Sequence, residues 1–280
     1  MPVQAGIGAS SSYLSEFSAV ALTSITQLVR APSHSRRAEA ARRSARHALL
    51  LAAIVGAAIL ALMYALDARE IALMPPRGSA GLWPVRILTD FGKAAYVLWL
   101  LAAMLLAMAL VAPRLRTSRS SLLAFGTRLQ FLFFAVLVPV LAGELIKWIV
   151  GRGRPFVGGE ANAFNFAHFA GTEAYASFPS GHAITAFALA LAVSSLWPQA
   201  RLAMAVYAIL IAASRLVLLA HHPSDVVAGA LIGVIGAMVV RYWFAARRLG
   251  FGIRRDGAIV PLAGPSLGHF KGVARKASAP

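Results

Sequence analysis

Cysteine is absent from this 280-residue chain, and charge is scarce, with 13% of residues Asp, Glu, Lys or Arg. The first absence excludes disulfides, thiolate catalysis and Cys-based metal sites, and it leaves the redox compartment undetermined. The second amounts to about half of what a soluble domain carries. Acidic residues are the rarest, ten against 27 Lys and Arg, for a formal net charge of +17. Apolar residues fill the space, 59% of the chain, in runs of about 20 that suit lipid as the solvent. A basic chain invites a nucleic-acid reading. Here, however, the basic residues sit in tails and loops between apolar runs, which is the pattern of membrane topology, and no nucleic-acid partner is expected.

Six apolar runs stand out, at residues 48–66, 94–112, 129–149, 180–197, 202–220 and 225–243. The predicted fold is an all-α, polytopic membrane bundle of six transmembrane helices. The first run, at 1.5 Å per residue, reaches about 28 Å, enough to cross the hydrocarbon core. The fourth is the shortest and ends at Trp197 and Pro198. Gly229 and Gly233 in the sixth form a small-xxx-small pair that lets helices approach closely. The bundle, 48–243, is expected between a basic N-terminal tail (1–47) and a basic C-terminal tail (244–280). Residues 1–47 contain no apolar core followed by a cleavage site, so a secretory signal peptide is not expected, while an organelle transit peptide stays open. Within them Leu14, Phe17, Ala21, Ile25 and Leu28 fall near helical spacing, which suits either an interfacial helix or a disordered tail.

Basic residues set the orientation. With the N-terminus inside, 19 of the 27 Lys and Arg fall on the inner side. Eight fall outside: Arg69, Arg77, Arg86, Lys93, Lys147, Arg152, Arg154 and Arg215. That asymmetry predicts both termini in the cytoplasm. It also brings three charged clusters to the outer ends of their helices.

The first cluster is KWIVGRGRP, Lys147 to Pro155. Lys147 and Arg154 are about two helical turns apart, and Pro155 stops the helix. Alone, the pair reads equally as interfacial snorkelling residues, and Glu144 is expected to pair with Lys147. The second is FPSGHA, Phe178 to Ala183, where Pro, Ser and Gly precede an apolar run. A helix N-terminus there leaves backbone N–H groups free for an anion, with His182 in the first turn. The third is SRLVLLAHHPSD, Ser214 to Asp225. Pro223 suits a first helical turn, and His221 and Asp225 lie four apart, where a carboxylate can fix the imidazole tautomer and free its other nitrogen.

Together the clusters offer three cations, a helix N-terminus, two histidines and an aspartate. Two His and one Asp make a poor metal cage, so no metal and no cofactor is expected. Cations with amide donors suit a phosphoryl group, whose transition state spreads negative charge over three oxygens.

These motifs resemble the type 2 phosphatidic acid phosphatase (PAP2) superfamily, relatives of the vanadium haloperoxidases, in its integral-membrane lipid phosphatase branch. The signature is Lys147…Arg154-Pro155, then Pro179-Ser180-Gly181-His182, then Ser214-Arg215…His221…Asp225, in that order and spacing. The resemblance implies that His221 is the nucleophile forming a phosphohistidine, that Asp225 orients it, and that His182 protonates the leaving oxygen. It implies that Lys147, Arg154, Arg215, Ser180 and the Gly181 N–H hold the phosphate. His222 falls on a variable position, and His168 reads as a loop residue.

The implied activity is metal-independent hydrolysis of a lipid phosphate monoester or diphosphate in a bacterial inner membrane, with the site at the periplasmic face. Phe164, Phe166, Phe169 and Tyr175 in the loop before the fourth run suit a headgroup boundary. Substrates implied by the family are phosphatidic acid, phosphatidylglycerol phosphate, undecaprenyl pyrophosphate and lipid A. Two other readings stay open: phosphotransfer from the same phosphoenzyme to another lipid, and a non-catalytic transporter or scaffold. The stretch Gly81 to Lys93 reads as an amphipathic surface piece, with Asp90 and Lys93 outside the site.

Overall fold

In lipid, backbone N–H and C=O groups find no water, so an apolar run satisfies them only by coiling into a helix. The computed structural model, which describes residues 13–114, 119–155, 157–159 and 161–262, is accordingly mostly helical. The helices are α1 (Tyr13–Val29), α2 (Arg37–Ala65), α3 (Asp67–Leu73), α4 (Trp83–Asp90), α5 (Ala94–Val111) and α6 (Arg119–Val150). After a long loop come α7 (Gly181–Leu196), α8 (Arg201–Val217) and α9 (Pro223–Ala246), then an antiparallel pair, β1 (Phe251–Ile253) and β2 (Ile259–Pro261).

Among the described residues, five helical segments are long and apolar enough to cross a membrane, containing α2, α5, α6, α8 and α9. The expected fourth run forms α7, shorter at 16 residues. Two helices start well before their apolar runs, α2 at Arg37 and α6 at Arg119. Hydropathy marks the lipid-facing part of a helix, whereas Ala and Arg, abundant in AEAARRSARHA, favour helix in any solvent.

α7 lies between α6, α8 and α9, and most of its side chains are buried. The small pair on α9 faces it. A Cβ on Gly229 would lie 2.5 Å from the Ser180 carbonyl oxygen, and one on Gly233 would lie 2.5 Å from that of Ile184. The spacing read from the sequence thus serves a contact that only glycine permits.

Of the two readings of the N-terminal region, the helical one describes Tyr13–Val29. The α1 backbone is tied to α6 through Gln130 Nε2, which donates to Ser24 O (2.9 Å), and to α9 through Trp243 Nε1, which donates to Leu28 O (3.0 Å). Residues 244–262, expected in a tail, continue the packed structure. Phe251 packs on Phe131, and Phe131 on Phe244, with ring centroids 4.8 and 5.4 Å apart. The hairpin is moored to the segment before α2, since Ile253 N–H donates to His34 Nε2 at 3.1 Å. Composition marks this region as basic but cannot register that its apolar residues are paired. Arg116, Lys271, Arg275 and Lys276 lie outside the described residues.

The loop from 151 to 180 carries Arg152 and Arg154 toward α7. Gly151 ends α6 with φ +56°, and a Cβ there would lie 1.8 Å from the Ala167 carbonyl oxygen. Only glycine turns the chain at this point. Beyond it, Gly153 N–H donates to Asn165 O (2.8 Å), Arg154 N–H to Ala174 O (2.9 Å) and Ser177 N–H to Arg152 O (3.0 Å). The returning loop therefore clamps both arginines in place.

Candidate active site

The N-terminus of α7, the C-terminus of α8 and the N-terminus of α9 meet at one end of the bundle. Ser180 N–H donates to the main-chain oxygen of Asp225 at 3.0 Å, joining α7 to α9 directly. Ser180 stands at the N-cap of α7 but makes no capping bond. Its hydroxyl is buried and without a partner among the described residues, as are His182 Nε2 and Arg215 Nε. A buried polar atom left unpaired costs about 1–3 kcal/mol. Three of them beside the open N–H groups of a helix terminus make a cradle for a group rich in oxygen.

The cations surround this cradle. Lys147, on the last turn of α6, pairs with Glu144 at 2.5 Å, the partner expected from sequence. Its ammonium sits 3.6 Å from where a Cβ of Gly181 would be, hence against the first turn of α7. Arg154 is held by Glu173, donating through Nη2 to the carboxylate (2.6 Å) and through Nε to the carbonyl (2.9 Å). Arg215 donates from Nη1 to Thr89 Oγ1 of α4 at 2.8 Å. The charges of Arg154 and Arg215 both bear on His221, as does that of His182. All eight sequence-predicted residues thus lie at this one end.

His221 is buried, and its Nδ1 lies 2.8 Å from the main-chain oxygen of Ser177. A carbonyl oxygen only accepts, so Nδ1 carries the proton. Burial first, and then Arg215 and Arg154, hold the ring well below the ordinary imidazole value of 6.5. The ring is therefore neutral at pH 7, and Nε2 keeps its lone pair.

Asp225 stands 4.0 Å from His221 Nδ1, too far for a hydrogen bond. Its carboxylate instead accepts from Ser177 Oγ (2.6 Å), the His222 N–H (2.9 Å) and Arg152 Nη1 (2.6 Å). Ser177 is the link, with its hydroxyl on Asp225 and its carbonyl on His221. The direct contact expected from the four-residue spacing is replaced by this one-residue bridge. His222, given no chemistry from sequence, caps α9 in a reciprocal box with Asp225.

Behind Asp225 lies a cluster that sequence reasoning misses. Arg152 is fully buried and joins Asp225 to Asp67 of α3, donating from Nη2 at 2.8 Å. It also donates to Ser224 Oγ (2.6 Å) and Ala163 O (2.7 Å). Ser224 N–H donates to Asp67 Oδ1 at 3.0 Å, and the Ser224 hydroxyl bonds Oδ2. Glu70, also on α3, is buried, with neither carboxylate oxygen partnered among the described residues. Burial, with Asp67 and Asp225 nearby, pushes its carboxyl up to about 8. The only sequence signal for this cluster is two carboxylates just past the first apolar run.

The α4–α5 turn also comes closer than expected. Asp90 and Lys93 pair at 2.8 Å, and their charges bear on His182. Gly92 packs so tightly that a Cβ would lie 3.2 Å from His182 Cδ2. His168 remains a loop residue, its Nδ1 3.2 Å from Ile149 O and its ring stacked on Phe166.

Residues 128–249 match the sequence profile of the PAP2 superfamily. The chain is 34% identical over 173 residues to a lipid A 1-phosphatase of Rhizobium johnstonii, covering 61% of this chain and 71% of that protein. It is 32% identical to the lipid A 1-phosphatase of Rhizobium etli, over 61% of this chain and 75% of the relative. A protein of Escherichia coli provisionally named undecaprenyl-diphosphatase YbjG is 34% identical over 114 residues, 38% of this chain and 54% of its own. No solved structure matches significantly.

Proposed function

The chain belongs to the PAP2 superfamily, and from that premise we propose that it hydrolyses a lipid phosphate monoester or diphosphate through a phosphohistidine at position 221. The observation that carries this reading is the neutral His221, proton on Nδ1, beside three unpaired buried atoms, Ser180 Oγ, His182 Nε2 and Arg215 Nε. A phosphate with its oxygens on those atoms, the Gly181 N–H, Lys147 and Arg154 would present its phosphorus to His221 Nε2.

In the first step Nε2 forms a bond to phosphorus, and the bond from phosphorus to the lipid oxygen breaks. The leaving oxygen takes a proton from His182. The imidazolium formed on His221 is stabilised through Ser177 by the Asp225 carboxylate. Water then attacks the phosphohistidine, giving its proton to His182 and releasing phosphate. The cations offset the charge spread over the equatorial oxygens, so no metal is assigned a role.

The same reading takes α2, α5, α6, α7, α8 and α9 as six spans of one domain, residues 48–243, with termini in the cytoplasm of a bacterial inner membrane and the site at the periplasmic face. The exposed aromatic side chains of Tyr64, Trp83, Trp148, Phe164 and Phe169 near the site end support it. So does the arginine-rich opposite end. The relatives' names support lipid A and undecaprenyl diphosphate as the first substrates to assay.

A panel of lipid A, isoprenoid diphosphate and phosphatidic acid substrates, assayed for phosphate release by purified protein in detergent, tests the reading. Release without an added lipid acceptor separates hydrolysis from phosphotransfer. His221→Ala should abolish both turnover and phosphoenzyme trapping while the protein still inserts. Turnover by that variant at the wild-type rate would end the proposal.

A further inference from the structure

The end of the bundle away from His221 contains a second group of cations that the phosphatase reading does not use. Arg241, on the last part of α9, is half-buried and has no carboxylate partner among the described residues. Its contacts are weak and neutral, Nη1 to Ser195 Oγ at 3.2 Å and Nη2 to Ile259 O at 3.4 Å. Sixteen residues separate it from Asp225, about 24 Å along the helix axis at 1.5 Å per residue. It is therefore remote from the phosphate cradle.

Like charges crowd this position. Arg201, at the start of α8, and Arg43, on α2, lie close enough to Arg241 for their charges to bear on it. Arg201 has no ion-pair partner among the described residues, and Arg43 shares the half-exposed Asp256 at 3.2 Å. No residue from 257 to 280 is acidic, so the remaining sequence supplies no side-chain carboxylate here. Three guanidinium groups facing one region with one exposed carboxylate between them repel one another unless an anion joins them.

The space around Arg241 has the shape such an anion needs. Two cavities of about 550 and 630 Å³ adjoin, with Arg241 and Val234 in the wall between them. The first runs along Leu50 and Ile54 of α2, and the second along Ile209 of α8; all three side chains are exposed. The β-hairpin covers the cationic end of both, through Ile259. Gly257 at its turn (φ +76°) fits so closely that a Cβ would lie 2.9 Å from the Glu39 carbonyl oxygen.

We infer that this end of the bundle binds one anionic glycerophospholipid, its phosphate at Arg241, Arg201 and Arg43 and its acyl chains in the two flanking grooves. The charge complementarity and the paired apolar grooves select a phospholipid. A free phosphate would satisfy the cations but leave the grooves unexplained. The inference does not rest on the phosphatase reading, and its readout is bound lipid rather than turnover.

Native mass spectrometry of the full chain in detergent, titrated with dioleoylphosphatidylglycerol or dioleoylphosphatidylcholine, tests it. The wild type should retain a single phosphatidylglycerol in preference to phosphatidylcholine, and excess inorganic phosphate should not displace it. Arg241→Gln should weaken retention about tenfold or more, as expected for a lost charge-assisted bond. The double variant Arg43→Gln/Arg201→Gln, at one half-buried and one exposed position outside the core, should weaken it similarly. Arg86→Gln, an exposed position on α4 at the other end, should leave retention unchanged. Equal retention of both lipids, displacement by phosphate, or loss on Arg86→Gln but not on Arg241→Gln or the double variant would overturn the proposal.

Discussion

His221 donates its Nδ1 proton to the main-chain carbonyl of Ser177 at 2.8 Å, while the carboxylate of Asp225 stands 4.0 Å away. The acid reaches the imidazole through one intervening residue, whose hydroxyl it holds at 2.6 Å. A carbonyl fixes the tautomer as firmly as a carboxylate would, and it does so without placing a full negative charge on the ring.

Ser177→Ala should therefore keep the carbonyl and lose the tether. Loss of one hydrogen bond to a charged group predicts a fall in kcat of about ten- to a hundredfold, with KM nearly unchanged. Steady-state kinetics on the preferred lipid check this. An equal rise in KM would show that Ser177 binds substrate instead.

Arg152 pairs with two buried carboxylates, Asp67 and Asp225. Arg152→Leu should destabilise the fold by about 3–5 kcal/mol, because Asp67 and Asp225 would then face each other uncompensated. Adding Asp67→Asn should recover part of that loss. Thermal unfolding in detergent of the single and double variants measures the coupling, which should be absent if the two residues act independently.

Glu70 gives stability a pH dependence of definite sign. Its folded value, about 8, lies above the ordinary 4.5. The native state binds the extra proton in that window, so stability is full below about 4.5 and falls as pH rises toward 8. Melting curves from pH 5 to 9 should show a declining Tm in the wild type and a flatter profile in Glu70→Gln. Parallel profiles would show that Glu70 is ionised in the folded protein.

Activity should survive a strong chelator. The buried carboxylates Asp67 and Asp225 are already committed to Arg152, and the residues proposed to hold the phosphate include three cations, Lys147, Arg154 and Arg215. Phosphate release should be unchanged after EDTA treatment. Loss of activity with recovery on added Mg²⁺ would require a different mechanism.

The helices and the motif residues were legible in the sequence because both are local or strongly patterned. Apolar runs long enough for lipid have one hydrogen-bonded solution, so α5, α8 and α9 fall close to their expected limits. The glycine pair at 229 and 233 is a period on one helix face. Lys147, Arg154, Ser180, His182, Arg215 and His221 sit where apolar runs end, where a charge or a helix terminus is conspicuous. The starts of α2 and α6 were not legible, because their first turns are polar and hydropathy is silent about helices in water.

Composition and order along the chain thus determined a basic membrane bundle and the motif residues that meet at one end of it. Only the tertiary structure decided how that end is wired. Arg152, Asp67, Glu70 and Ser177 are ordinary loop or interfacial residues in one dimension. Their importance comes from burial, which removes water as a partner, joins Arg152 to Asp67 from distant segments, makes Ser177 the bridge between Asp225 and His221, and favours the protonated form of Glu70. Arg152 and Asp67 are 85 residues apart in sequence and 2.8 Å apart in space. The same holds for the arginines at positions 43, 201 and 241, since no local pattern records that three helices bring them to one place.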